Sequence, residues 1–282
     1  SENIKDECGV FGIYDKSRLG NIAQQVYFGL FAMQHRGQEA AGIAVNNDRE
    51  ITLVKNMGLV SEVFNDSILA KLNGEIAIGH VRYSTTGNNT PENAQPISVK
   101  YAKGNLTVSH NGNITNAKEL RDKLEAKGAI FHTTSDSEVI SYLIAIQRLK
   151  SKSIEDAVEK VFPMLQGAFS LLIMSPRKLI AVRDKFGIRP LCMGKLQDNV
   201  IFASESCAFE TIGATFERDV RPGEIVIVTE EGIESNEKYC GHSGGLCIFE
   251  HIYTARPDSV IDGQGVNEAR MNAGKMLAKI AP

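Results

Sequence analysis

Cys8-Gly9-Val10-Phe11-Gly12-Ile13-Tyr14 is the stretch from which the rest of the chain is read. Apolar residues at 10, 11 and 13, bounded by glycines, predict a short strand. A cysteine opens it, behind the charged segment Ser1-Glu2-Asn3-Ile4-Lys5-Asp6-Glu7. That segment has no apolar run, so it reads as neither a secretory signal nor an anchor. A cysteine at the start of a strand is ordinarily a small buried apolar residue. This one has a second reading. If the Glu7–Cys8 bond is cut, Cys8 carries both a thiol and a free α-amine. An α-amine titrates near ~8, against ~10.4 for a lysine, and so can act as a general base close to neutral pH. Nucleophile and base then share one residue.

Outward from that strand, 22–33 has a helical apolar period, and 41–45, 51–55 and 75–81 read as strands. Helices are predicted over 116–127, 136–149 and 153–165. After Gly167 come five short strand candidates, 168–174, 179–183, 191–194, 200–203 and 224–229, divided by turn residues. Strands and helices occur in clusters, which suits layered α+β packing rather than βαβ alternation. The stretch 235–245 is polar and glycine-rich, as a junction would be, and a helix is expected over 267–280.

Composition limits the function classes. The 282 residues carry 31 Lys+Arg against 34 Asp+Glu, a net charge of -3, which argues against a nucleic-acid-binding protein. Apolar runs fall far short of the ~20 residues that span a bilayer. Five cysteines at 8, 192, 207, 240 and 247 are odd in number and irregularly spaced, so a reduced, cytoplasmic protein is expected.

Further segments place polar groups at strand ends and helix starts, where binding loops sit. They are Gln34-His35-Arg36-Gly37-Gln38, Gly79-His80-Val81-Arg82-Tyr83-Ser84-Thr85, His110-Asn111-Gly112-Asn113 and Thr133-Thr134-Ser135-Asp136-Ser137-Glu138. Each has a plain structural alternative: Asn111-Gly112 as a hairpin turn, 133–138 as a helix cap, Arg82 as a surface ion pair. Together with the Cys8 strand, in this order and spacing, the set resembles the glutaminase domain of class II glutamine amidotransferases, the N-terminal-nucleophile group. Val182-Arg183-Asp184-Lys185-Phe186-Gly187-Ile188-Arg189-Pro190-Leu191, Ala203-Ser204-Glu205-Ser206-Cys207-Ala208 and Ala255-Arg256-Pro257-Asp258-Ser259-Val260-Ile261-Asp262 narrow it. They are similar to the glutamine phosphoribosylpyrophosphate amidotransferases of purine biosynthesis.

The resemblance implies an α+β fold, a four-layer αββα sandwich of the N-terminal-nucleophile hydrolase type. It implies that Cys8 attacks the side-chain carbonyl of L-glutamine, and that Asn111 and the Gly112 N–H form the oxyanion hole. Arg82 would clamp the substrate carboxylate and Asp136 its ammonium. It also implies three parts: a propeptide over 1–7, a glutaminase domain over 8–235, and a connector over 236–282 into an absent phosphoribosyltransferase domain. Cleavage at Glu7–Cys8 would activate the chain, because an acylated Cys8 nitrogen is an amide without basicity. No metal or other cofactor is expected in this stretch. Mg²⁺ belongs to the absent half, as does an iron–sulfur cluster in members that carry one, with Cys247 where its first ligand would lie. A homo-oligomer is expected of the full-length protein. Two alternatives are weighed: another class II amidotransferase, such as one making glucosamine 6-phosphate, and a non-catalytic scaffold that keeps its first seven residues.

Overall fold

The computed structural model describes residues 7–281 apart from 19, 49, 84–89 and 243. Expectations that rest on residues 1–6, and on Ser84 and Thr85 of the Gly79–Thr85 segment, lie outside the described residues. In chain order the elements are β1 (Gly9–Tyr14), α1 (Ile22–Ala32), β2 (Ala40–Asn47), β3 (Glu50–Met57), α2 (Val60–Val63), α3 (Asp66–Leu69) and β4 (Ile76–Arg82). β5 (Ile97–Tyr101), β6 (Gly104–Ile114), α4 (Ala117–Glu125), α5 (Asp136–Lys150), α6 (Ile154–Val161), β7 (Gly167–Met174) and β8 (Leu179–Arg183) follow. The chain closes with β9 (Cys192–Leu196), β10 (Asn199–Ala203), α7 (Cys207–Thr211), β11 (Thr215–Asp219), β12 (Ile225–Val228), β13 (Ile233–Asn236), β14 (Val260–Ile261), β15 (Gln264–Gly265) and α8 (Val266–Ile280).

Two antiparallel sheets stack face to face. The first has the order β11-β9-β10-β1-β4-β2-β3, the second β13-β12-β8-β7-β6-β5. β1 is apolar on both sides because it lies in the middle of the sandwich. Val10 and Tyr14 point into the layer between the sheets, with Ile78, Leu172, Met174 and Phe202. Phe11 and Ile13 point the other way, against Val26 and Leu30 of α1. Helices α4, α5 and α6 cover the outer face of the second sheet through Leu120, Ile140, Ile144 and Val158 on Val108, Leu171 and Ile173. The result is helix, sheet, sheet, helix, the layering that the resemblance implies. α1 lies close enough to its sheet that a Cβ on Gly29 would sit 2.3 Å from the Phe11 ring. Only glycine leaves room for that approach.

Cys192 and Cys207 are buried core residues. Besides the two-residue β14 and β15, the strands β5, β11 and β13 had no sequence counterpart. Each is an outermost strand of its sheet and shows one face to solvent, so its residues make no apolar run. The segment after 235 does not hang free. Glu250, Ser259 and Asp262 reach back onto Arg36, Glu205 and Arg183 at 2.7–2.9 Å. No helix among the described residues is long and apolar enough to cross a membrane.

Candidate active site

The pairing of β1 with β4 brings two of the predicted residues to one end of the first sheet. Gly9 faces Val81 across the ladder, so Cys8 and Arg82 are the next residues outward on each strand. The Cys8 Sγ donates to the Tyr83 carbonyl at 3.4 Å. Burial pushes its pKa up to about 11, against the opposing pull of that hydrogen bond and of the Arg82 charge. The thiol is therefore neutral near pH 7 and needs a base to become a nucleophile. Arg82 is itself buried, with its backbone carbonyl accepting from the Glu39 N–H at 3.1 Å.

The second sheet supplies the other half. His80 of β4 donates from Nε2 to the His110 carbonyl of β6 at 2.9 Å, a bond from one sheet to the other. Burial lowers the His80 pKa to about 3, so this ring is neutral. Gln95 holds the same His110 peptide, accepting from its N–H at 2.8 Å and donating to its carbonyl at 3.3 Å. The next residue is Asn111. Its side chain is wholly buried, and neither Nδ2 nor Oδ1 has a hydrogen-bond partner among the described residues. Buried amides are rarely left so, and one that is marks a place where a group belongs.

Gly112 follows at φ +143°, and a Cβ there would lie 2.1 Å from the Ala168 carbonyl oxygen. No side-chain rotation relieves a clash with backbone, so the position requires glycine. Asn111-Gly112 is thus not a hairpin turn. It lies inside β6, paired with β7 in unbroken register from Thr107–Met174 to Ile114–Gly167.

Asp136 is the first residue of α5, behind Ser135, whose Oγ accepts from the Ser137 N–H at 3.2 Å. The cap alternative for 133–138 is therefore correct as far as it goes, and it also aims Asp136. The Asp136 carboxylate accepts from the Ile114 N–H at 3.0 Å and lies 3.5 Å from His110 Nδ1. Burial pushes its pKa up, but the His110 ring and the Ile114 and Ser137 N–H groups outweigh that and hold it below the usual value. The buried carboxylate stays ionised at the start of a helix, where negative charge is favoured.

Sequence reasoning missed several residues that build this site. Glu7 forms an ion pair with Arg189. The Arg189 backbone is anchored in turn, its N–H donating to Asp184 at 3.3 Å and its carbonyl accepting from Ser170 Oγ at 3.1 Å. Ser170 is the register partner of Asn111, so one loop ties the Glu7–Cys8 bond to the β6 side of the site. Arg189 had been read only as part of a motif. Cys247 is partly buried, and no three His, Cys, Asp or Glu among the described residues are arranged to hold a metal ion. The residues present thus supply one thiol and do not fit a four-cysteine cluster on their own.

Comparison with known proteins bears on this arrangement. A family model described as a glutamine amidotransferase domain matches residues 80–211. The amidophosphoribosyltransferase of Methanocaldococcus jannaschii is 46% identical over 98% of this chain and 61% of its own length. The chloroplastic amidophosphoribosyltransferase 1 of Arabidopsis thaliana is 46% identical over 100% of the chain and 49% of its own. The solved glutamine phosphoribosylpyrophosphate amidotransferase of Bacillus subtilis, complexed with ADP and GMP, superposes with a TM-score of 0.89 at 43% identity. It is matched over 96% of this chain and 58% of that one. Over nearly its whole length the chain is similar to amidophosphoribosyltransferases, at 43–46% identity. It spans about half to three fifths of the length of the curated relatives it matches. A glutamine aminotransferase class-II domain protein from Silicibacter pomeroyi, 15% identical at a TM-score of 0.51, shares the fold.

Proposed function

We propose that this chain hydrolyses the side-chain amide of free L-glutamine through a thioester on Cys8. In the full-length amidophosphoribosyltransferase, the ammonia would pass to a phosphoribosyltransferase domain in cis to make phosphoribosylamine from phosphoribosylpyrophosphate. The observation that carries the reading is the buried Asn111 amide, without a partner among the described residues, beside Gly112 on the strand that His80 pins to the strand paired with β1. A donor held ready before substrate arrives is what an oxyanion hole needs.

The chemistry starts with cleavage. The Cys8 sulfur attacks the Glu7 carbonyl, the C–N bond breaks, and the nitrogen takes up the thiol proton. Water then hydrolyses the thioester and frees the thiol. With the α-amine available, its lone pair accepts the thiol proton as sulfur attacks the glutamine side-chain carbonyl. At a thiol pKa of about 11, roughly one thiol in several thousand is ionised at pH 7.5, so this local base is the route to a usable thiolate. The oxyanion is met by Asn111 Nδ2 and the Gly112 N–H. Collapse returns the proton to the departing nitrogen, and ammonia leaves. Water, deprotonated by the same amine, releases glutamate.

Arg82 and Asp136 explain the restriction to free glutamine. A planar guanidinium fits the α-carboxylate and an ionised aspartate fits the α-ammonium, and glutamine within a peptide offers neither. Residues 1–7 are read as a propeptide, 8–235 as the glutaminase domain and 236–282 as the connector. Mg²⁺, and an iron–sulfur cluster where a member carries one, belong to the second half, and no step above runs through either. A cytoplasmic homo-oligomer is the expected working form. The test is intact mass together with glutamate release. A chain lacking residues 1–7 should be active and Cys8→Ala both uncut and inactive; a fully active chain that still carries residues 1–7 would overturn the reading.

A further inference from the structure

Arg36 ends a short turn after α1 and is wholly buried. Its Nε donates to the Cys8 carbonyl at 3.0 Å. Its other nitrogens are taken by two carboxylates: Nη1 donates to Glu205 at 2.6 Å and to Glu250 at 2.9 Å, and Nη2 to Glu250 at 2.8 Å. Glu205 follows β10, in the body of the sandwich. Glu250 lies in the segment after 235. That segment also caps Glu205, through the Arg256 N–H at 2.9 Å and Ser259 Oγ at 2.7 Å. His35 Nε2 at 2.8 Å and Cys207 Sγ at 3.7 Å also lie on Glu205.

Burial alone would drive the Arg36 charge off and the Glu205 charge likewise. Mutual attraction reverses both, raising the first pKa and lowering the second. Taking three ionised groups out of water is expensive, and well-packed apolar residues would hold a core together as well or better. What the ions add is direction. A guanidinium forked onto two carboxylates has one orientation, and here its remaining N–H points at the backbone of Cys8.

We propose that Arg36 is the positioning residue that fixes the nucleophile, and that Glu250 makes this hold depend on how the segment 250–259 is seated. The inference rests on the reading of Cys8 as nucleophile. Once cut, Cys8 is a chain end, and chain ends fray unless tied down. Its thiol and amine both hang from one Cα, so the bond to its carbonyl aims the two together. A displacement of ~1 Å at a reacting group costs about a hundredfold in rate. If Glu250 leaves, Arg36 keeps only Glu205 and the fork can turn. A rearrangement of this segment therefore reaches Cys8 through one side chain, without passing through Arg82 or Asp136. It changes turnover and leaves glutamine affinity alone.

The test compares the 282-residue chain with Glu250→Gln, each with cleavage before Cys8 verified by mass and folding verified by thermal melting. Steady-state glutamate release from L-glutamine is the readout. Glu250→Gln is expected to lower kcat at least tenfold with KM within twofold. Glu250→Asp, which keeps the charge and shortens the arm by one carbon, should show the same split at smaller size and serves if the first variant does not fold. Leu277→Ala, on the exposed side of α8, should change neither constant. A folded, cleaved Glu250 variant with kcat within twofold of the parent overturns the inference. So does a rise in KM at constant kcat, or an equal loss in Leu277→Ala. If the parent releases no glutamate and Cys8→Ala is indistinguishable from it, the reading of function fails and this inference falls with it.

Discussion

Replacing Asn111 with leucine should make the protein more stable and nearly inactive. The two side chains have similar branching and size, so the substitution leaves little cavity or overlap. Asn111 is wholly buried and keeps both polar atoms without a partner among the described residues. An unmet buried polar group costs about 1–3 kcal/mol. Removing that amide should return an amount of this order, and a domain this size gains about 2–4 °C in melting temperature per kcal/mol. The expected shift is therefore roughly +2 to +12 °C for the substrate-free protein. Catalysis should move the other way. Loss of one oxyanion donor costs about 10²–10³ in kcat, near 3–4 kcal/mol, because the bond is made to charge that exists only in the transition state. KM should stay within threefold, since Arg82 and Asp136 are untouched. Melting with and without glutamine, and glutamate release by the same preparation cleaved before Cys8, measure both sides. A variant that melts lower than its parent and keeps a tenth or more of its kcat would refute the reasoning.

Other consequences are open to direct measurement. Iodoacetamide should alkylate Cys8 slowly at pH 7.5 in the uncut chain, with a rate climbing toward pH 11; after cleavage the midpoint should fall toward the α-amine range near ~8, and identical profiles would contradict the shared-residue base. Gly112→Ala should unfold or strongly destabilise the chain, because its Cβ meets the Ala168 carbonyl at 2.1 Å; a stable, active variant would contradict that close approach of β6 to β7. Asp136→Asn should raise KM for glutamine tenfold or more with a smaller effect on kcat, and a change in kcat alone would remove Asp136 from the ammonium site. Asp219 is pushed up to about 6 from 3.8 by burial and by the Asp262 carboxylate. Its favoured form in the fold is the protonated one, so its contribution is full below pH ~3.8 and is lost as pH rises through 6. Asp219→Asn should thus gain up to about 3 kcal/mol at pH 8 and little at pH 4, and equal gains at both would reject that assignment.

Much of the fold could be read in advance where strands are buried on both faces. Val10, Phe11 and Ile13, or Leu171, Leu172 and Ile173, form apolar runs because a sheet in the middle of the sandwich has no wet side. Edge strands gave no such signal: Thr215-Phe216-Glu217-Arg218-Asp219 and Ile233-Glu234-Ser235-Asn236 are polar because solvent is their neighbour. At the site, the sequence marked residues through a motif resemblance, and their meeting depends on pairing that no local pattern encodes. Gly112 is a plain case. Asn-Gly is the commonest hairpin signal, yet here the glycine is required by the nearness of the Ala168 carbonyl in mid-strand. Arg36, Glu205 and Glu250 are separated by more than 200 positions end to end, and only the packed structure joins them to the Cys8 carbonyl.

The most direct test of the central claim is to look for the covalent intermediate itself. A chain cleaved before Cys8 is mixed with L-glutamine, quenched in acid within a turnover, digested and analysed by mass. The account predicts a gain of one glutamyl residue on the peptide that begins at Cys8, seen when digestion and analysis are kept acidic and missing from Cys8→Ala. Glutamate released at full rate with that peptide unmodified, or by Cys8→Ala, would contradict it.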